Sequence, residues 1–198
     1  IGQALIGKDP TDISNINIEM EKKLKGHPYV KSPIDMACWD IIGKNYRMPL
    51  WKLLGGKFGE QIDLYRAISQ ETPEIMMQKV VEYKKEGYSK FQLKVGGEYN
   101  ADIERIKSVS SELDQTNILV ADANTGWKSH EAIKVVKQIE NIDVYIEQPC
   151  ETYRDCVEIR KKTSNPFILD ESIDSLNNFL QAYHDGAMDI INLKISKL

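Results

Sequence analysis

Five ionisable residues recur at a near-constant interval: Lys94, Asp122, Glu147, Asp170 and Lys194 lie 28, 25, 23 and 24 residues apart. Each sits at or just past the end of a short apolar run. Three carboxylates brought together in a desolvated site repel one another, so a cation must compensate them. Oxygen-only ligation without His or Cys selects a hard ion, and a site that leaves room for water or substrate suits Mg²⁺ better than a full Ca²⁺ cage. His27, His130 and His184 are scattered along the chain, which argues against zinc. The two lysines flank the acids in order. A lysine removes a proton near neutral pH only when its ammonium is destabilised by about 4 kcal/mol. A divalent cation and a second ammonium nearby both push in that direction. These residue types therefore describe a site that takes a weakly acidic proton from the carbon beside a carboxylate, with a cation holding the enediolate.

The elements that must carry these residues follow from the hydrophobic rhythm. After residue 60, short apolar runs at 62–68, 91–95, 118–121, 144–146, 167–169 and 188–193 alternate with helical stretches at 73–86, 101–113, 129–140, 152–162 and 175–184. Short, nearly continuous apolar strands between helices are the mark of βαβ units with both sheet faces covered. An interval of one such unit brings all five side chains to the same mouth of a parallel barrel, where barrels keep their chemistry. A doubly wound open sheet is the rival. It needs a phosphate-binding G-x-G-x-x-G turn, and Lys94-Val95-Gly96-Gly97-Glu98 does not supply one.

Before residue 60 the pattern is helical. One helix is expected over 11–24, capped by Thr11 or Asp12 and stopped by Gly26. A second opens at Ser32-Pro33-Ile34-Asp35, with Ser32 as the capping hydroxyl and Pro33 at the first helical position, and runs to Gly43. A short third ends at Gly55-Gly56. The fold class is α/β. We expect a partial TIM (β/α) barrel of about six βα units over 61–198, preceded over 1–60 by the helical end of an α+β cap domain.

Composition narrows the field. The 198 residues carry 26 basic and 30 acidic side chains, a formal net charge of −4. With no basic face, nucleic acid is not an expected partner. No apolar run approaches the roughly 18 residues of a membrane-spanning helix, so no membrane partner is expected. Cys38, Cys150 and Cys156 are odd in number and lack metal-type spacing, pointing to a reduced, cytoplasmic setting. Cys150 has no His beside it in sequence and is not read as a nucleophile.

Several motifs taken together resemble the enolase superfamily, in the muconate-lactonizing branch of its mandelate racemase group. Asp35-Met36-Ala37-Cys38-Trp39-Asp40-Ile41-Ile42-Gly43-Lys44, with Pro49 and Leu53-Leu54-Gly55-Gly56, resembles the family's cap-to-barrel signature. Val120-Ala121-Asp122-Ala123-Asn124, Ile146-Glu147-Gln148-Pro149 and Leu169-Asp170-Glu171-Ser172 resemble its three metal-ligand motifs. Phe91-Gln92-Leu93-Lys94-Val95-Gly96 and Asp189-Ile190-Ile191-Asn192-Leu193-Lys194 resemble its two lysine-bearing strands.

The resemblance implies Asp122, Glu147 and Asp170 as Mg²⁺ ligands, and Lys94 and Lys194 as an opposed acid/base pair. Asn124, Gln148 and Glu171 would be supporting residues. It implies a racemase or epimerase of a small proline-derived amino acid or betaine, or a dehydratase of a hydroxyproline-type acid on the same site. It also implies a homo-oligomeric full-length protein. A catalytically inactive metal-binding fragment is the alternative of another class, since eight strands close such a barrel and the chain shows six.

One position departs from the pattern. The branch usually has Lys-x-Lys on the second strand, and Gln92 replaces the first of these. It sits two residues, about 6.6 Å, from Lys94 on the same face, and it supplies hydrogen bonds without charge. This disfavours a dipeptide epimerase or a muconate cycloisomerase and favours the proline-derived members. Tyr65 and Ser69, at the end of the first strand, are further candidates for lining the pocket. Trp127 is expected either to pack over the rim or to touch substrate. Lys197 is expected at the surface.

Overall fold

The computed structural model describes residues 1–197. The chain divides into two compact units: residues 1–62 together with the residues from Lys194 onward, and Asp63–Leu193.

The first unit holds α1 (Gly2–Leu5), α2 (Ile13–Lys23), α3 (Pro28–Asn45) and α4 (Leu50–Leu53). Asp12, not Thr11, caps α2 by accepting from the Asn15 amide at 3.2 Å. The start of α3 departs from expectation. His27, in the left-handed region at φ 53°, is the N-cap; Pro28 opens the helix, and Pro33 lies inside it. Pro28 fills the first position, where no N–H is required. Pro33 comes just over a turn later, so its missing N–H leaves only the Tyr29 carbonyl without an intrahelical partner. Ser32 is therefore a helical residue and not a cap. Ile16, Met20 and Cys38 form the buried centre of this unit, with Ile13 and Ile34 packed against it.

The second unit alternates β1 (Arg66–Ile68), α5 (Pro73–Lys85), β2 (Lys90–Lys94), α6 (Tyr99–Ser110), β3 (Ile118–Asp122) and α7 (Ser129–Gln138). It continues with β4 (Tyr145–Glu147), α8 (Tyr153–Arg160), β5 (Phe167–Leu169), α9 (Leu176–His184) and β6 (Ile190–Ile191). The six strands form one sheet in sequence order, and each neighbouring pair is parallel. The architecture is α/β with one helix per strand, as the rhythm predicts.

Side-chain alternation splits each strand between two environments. Phe91, Leu93, Leu119, Ala121, Ile146, Phe167 and Leu169 share one core with Met76 and Val80 of α5, Ile106 and Val109 of α6, Val135 of α7 and Ile159 of α8. The residues between them, Gln92 and Lys94 on β2 and Val120 and Asp122 on β3, take the other face. Both end strands are shorter than their apolar runs: Ile62 and Leu64 precede β1 and are 85% and 66% exposed.

The loops leaving β2 and β3 touch backbone to backbone. Gly96 sits at φ 95°, and a Cβ there would strike the Ala123 backbone; a Cβ on Gly126 would strike the Gly96 carbonyl. Gly96→Ala is expected to destabilise the protein by at least about 1–3 kcal/mol from backbone strain alone. The measurement is the urea midpoint, and an unchanged midpoint would show that this close approach is dispensable.

Candidate active site

Register builds the site. Lys94 pairs with Asp122, and Asp122 with Glu147, on neighbouring strands, so a strand spacing of about 4.8 Å sets the three side chains in one row. Asp170 directly follows β5, two residues beyond Ile168, the register partner of Glu147. Asp122, Glu147 and Asp170 are only 1%, 2% and 1% exposed.

Lys94 Nζ donates to Asp122 Oδ2 at 2.5 Å and to Asn124 Oδ1 at 3.1 Å. Asn124 also donates its own amide to Asp122 Oδ1 (2.9 Å) and its Nδ2 to Glu171 Oε1 (3.2 Å). It thereby links Lys94, Asp122 and Glu171. Asn124 and Thr125 take left-handed φ values of 43° and 69°, a strained turn of the kind found at ligand sites. Two amides hold Glu147: Gln92 Nε2 donates to Oε2 at 2.8 Å and Asn192 Nδ2 donates to Oε1 at 2.7 Å. The same Asn192 nitrogen lies 3.3 Å from Asp170 Oδ2. Burial pushes the Glu147 carboxyl above the usual range. The Asn192 and Gln92 hydrogen bonds oppose that rise, and the charges of Asp122 and Asp170 add to it.

The structure thus brings Lys94, Asp122, Glu147, Asp170, Gln92, Asn124 and Glu171 together. Gln92 holds an acid of the row. Gln148 is fully buried at φ 34° and faces protein: its Oε1 accepts from the Asp170 and Ser172 amides (3.0 and 3.2 Å), and its Nε2 donates to Ser172 Oγ (2.8 Å) and the Cys150 carbonyl (3.0 Å). It fixes the backbone that presents Asp170. Lys194 lies two residues past Asn192 in sequence and belongs to the first unit.

Three placements correct the expectations. Tyr65 precedes β1, so it stands at the start of the strand and not at its end, although it does line a cavity with one of the acids. There it lines, with Gln92, Val120, Glu147, Ile190 and Asn192, a cavity of about 240 Å³ on the inner face of the sheet. Trp127 is 2% exposed and packs in the core, out of reach of a ligand. Lys197 is 7% exposed, not a surface residue. Ser69 is exposed just past β1.

Sequence reasoning missed Asn192, whose signal was its place two residues before Lys194 in the lysine-bearing motif. It also missed Asp102, whose only signal was an acid in the first turn of α6. Cys150 and Cys156 are buried, and burial pushes their thiols up to about 12 and about 11. Thiolate is the reactive form, so neither is expected to react with a disulfide reagent at neutral pH until the protein unfolds. A thiol titration with and without denaturant checks this; fast reaction in the folded protein would contradict it.

Among the described residues, no three of His, Cys, Asp and Glu are gathered around a single point as ligands of one ion. The reason is visible in the contacts. The Lys94 ammonium lies against Asp122 and the Asn192 amide stands between Glu147 and Asp170, so protein donors occupy the space between the acids. The donor set nevertheless fits a hard cation: the acids are oxygen donors only, they are buried and mutually repelling, and Glu171 Oε2 is buried without a hydrogen-bond donor.

Comparison with known proteins agrees with this architecture. Residues 76–198 match the enolase C-terminal domain-like family, and residues 1–55 match the mandelate racemase/muconate lactonizing enzyme N-terminal domain. The chain is 56% identical over 194 residues to a cis-3-hydroxy-L-proline dehydratase of Roseibium aggregatum, covering 98% of this chain and 53% of that protein. Among solved structures, an enolase-superfamily member from Roseovarius nubinhibens complexed with magnesium aligns with a TM-score of 0.84 at 34% identity, over 99% of this chain and 55% of that one. A Cytophaga hutchinsonii dipeptide epimerase complexed with Mg and the dipeptide D-Ala-L-Val aligns at 0.87 and 29% identity, over 98% and 54%. The chain spans about half the length of the relatives it matches. Buried acids on successive strand ends, a lysine in register with them and matches along nearly the whole chain lead to one assignment: this chain belongs to the enolase superfamily, in its mandelate racemase/muconate lactonizing enzyme group.

Proposed function

We propose that the protein removes the proton α to the carboxylate of a cyclic, proline-type amino acid, and that with a 3-hydroxyproline it then eliminates the β-hydroxyl as water. The row of Lys94, Asp122 and Glu147 beside Asp170 carries the first half of this reading, because it pairs a proton-transfer group with buried acids suited to Mg²⁺. The 56% identity to a cis-3-hydroxy-L-proline dehydratase supports the second half.

Asp122, Glu147 and Asp170 would hold Mg²⁺, which when bound supplies the positive charge that stabilises an enediolate. Lys94 takes the α-proton as the Cα–H bond breaks, and the electrons move into the carboxylate. They return to form the Cα–Cβ double bond as the Cβ–O bond breaks. The hydroxyl leaves as water with a proton from a lysine, for which Lys194 is the candidate by its place in the motif. The enamine so formed tautomerises to a cyclic imine. Asn124 keeps the Lys94 ammonium oriented, Gln92 and Asn192 hold both oxygens of Glu147, and Gln148 holds the backbone of Asp170.

A second reading, epimerisation, is favoured by the same two lysines and by the racemase and epimerase relatives, such as the N-succinyl-L-Arg/Lys racemase of Bacillus cereus at 31% identity. Incubation in deuterium oxide with Mg²⁺, followed by NMR, separates the two. Elimination consumes cis-3-hydroxy-L-proline and yields the imine; epimerisation returns substrate deuterated and inverted at the α carbon. No exchange and no turnover with hydroxyprolines, proline or proline betaine would overturn the proposal.

A further inference from the structure

Asp102 is fully buried, lies outside the row of acids and has no part in the chemistry above. Its Oδ2 accepts from the Gly96 and Gly97 amides, both at 2.9 Å, and from Trp127 Nε1 at 2.8 Å. Its Oδ1 accepts from Arg105 Nη1 at 2.7 Å. Gly96 and Gly97 lie two and three residues past Lys94 in the loop that leaves β2, and Trp127 lies in the loop that leaves β3 with Asp122 and Asn124. A single carboxylate on α6 therefore ties together the two loops whose glycines already touch. A buried charge of this kind is costly unless it is fully hydrogen-bonded, and apolar packing would serve a purely structural core at least as well.

We propose that Asp102 is a positioning residue for proton transfer. By clamping Gly96, Gly97 and Trp127 to one point, it sets where the end of β2 stands against the end of β3. That in turn sets the contacts of the Lys94 ammonium with Asp122 and Asn124. Asp102 acts through Lys94 and touches no substrate. Misplacing a reacting group by about 1 Å costs on the order of 10²-fold in rate, so a hub at this distance matters. The effect on rate rests on the proton-abstraction reading; the effect on Lys94 itself does not.

Two variants in the intact protein test this. Asp102→Asn keeps the shape but presents an NH₂ group to converging donors. Trp127→Phe removes one donor and leaves the carboxylate in place. The first readout is brief acetylation at fixed pH with quantification by mass spectrometry, comparing Lys94 with Lys90 on the same strand. Lys90 is anchored to Asp63 and serves as an internal control. Asp102→Asn should raise the Lys94/Lys90 labelling ratio by about tenfold or more as the clamp opens, and Trp127→Phe should raise it less. The second readout is turnover of cis-3-hydroxy-L-proline in deuterium oxide, read as imine formed or as substrate deuterated at the α carbon, where kcat should fall about 10²-fold while KM changes little.

An unchanged labelling ratio in the folded variants overturns the positioning role. If Asp102→Asn does not fold, an unchanged ratio in Trp127→Phe does so. A raised ratio in a protein whose wild type shows neither α-proton exchange nor turnover upholds the positioning of Lys94 and removes the proposed function instead.

Discussion

Lys94→Arg is expected to leave the protein folded and able to bind Mg²⁺ while abolishing α-proton removal, whether read as imine formation or as exchange, a loss of roughly 10²–10⁴-fold, the usual worth of a positioned acid or base. The choice of arginine matters. Lys94 Nζ is the ammonium facing Asp122, a carboxylate that is 1% exposed. A neutral replacement would leave that buried charge without its partner and confuse lost chemistry with lost stability. Guanidinium keeps a cation beside Asp122 but does not give up its proton at any working pH. NMR of product and recovered substrate in deuterium oxide, alongside a thermal melt, measures both effects. Turnover or exchange within tenfold of wild type would remove Lys94 from proton transfer and leave it as the ion-pair partner of Asp122.

Glu147→Gln should weaken Mg²⁺ binding by about 100-fold or more, at the top of or beyond the 10–100-fold that follows loss of a supporting residue. Glu147 stands between Asp122 and Asp170 in the row, so replacing it removes the central charge of three. It also leaves one of two amides, Gln92 Nε2 or Asn192 Nδ2, facing a donor instead of an acceptor. Isothermal titration with MgCl₂ reads the affinity directly. Retention of wild-type affinity would remove Glu147 from the ligand set.

The metal-free protein offers a second check. The folded Glu147 carboxyl titrates above its unfolded value because of burial. The folded state therefore binds the proton more tightly than the unfolded chain, and stability falls as pH rises from the ordinary carboxylate value through the raised one. Glu147→Gln should lose that part of the pH dependence. Chemical denaturation across this range measures it, and an identical slope in both proteins would contradict the burial argument.

The order of motifs along the chain was enough to name the superfamily. The near-constant spacing of Lys94, Asp122, Glu147 and Asp170 reports one βα unit per step, and period-two alternation fixes which face each side chain takes. Both are local properties, legible because strand and helix lengths set them. Capping was partly legible: Asp12 works as an N-cap, but the choice between Pro28 and Pro33 as the start of α3 was not. Either proline suits a first turn, and only the completed helix shows which carbonyl goes without a partner.

The hydrogen-bond partners lay beyond that reach. Gln92 reads in sequence as an uncharged departure from a Lys-x-Lys pattern, and folding makes it one of two amides on Glu147, because register places β2 two strands from β4 with its side chain turned to the same face. Asn192 and Asp102 have no motif of their own; they matter because elements tens of residues apart arrive within 3 Å of one another. Tyr65 shows the converse, since its apolar run extended further than the ladder that defines the strand. Residue types and their spacing prescribe which groups can react, whereas strand pairing and the burial of unlike side chains against each other choose which groups hold them in place.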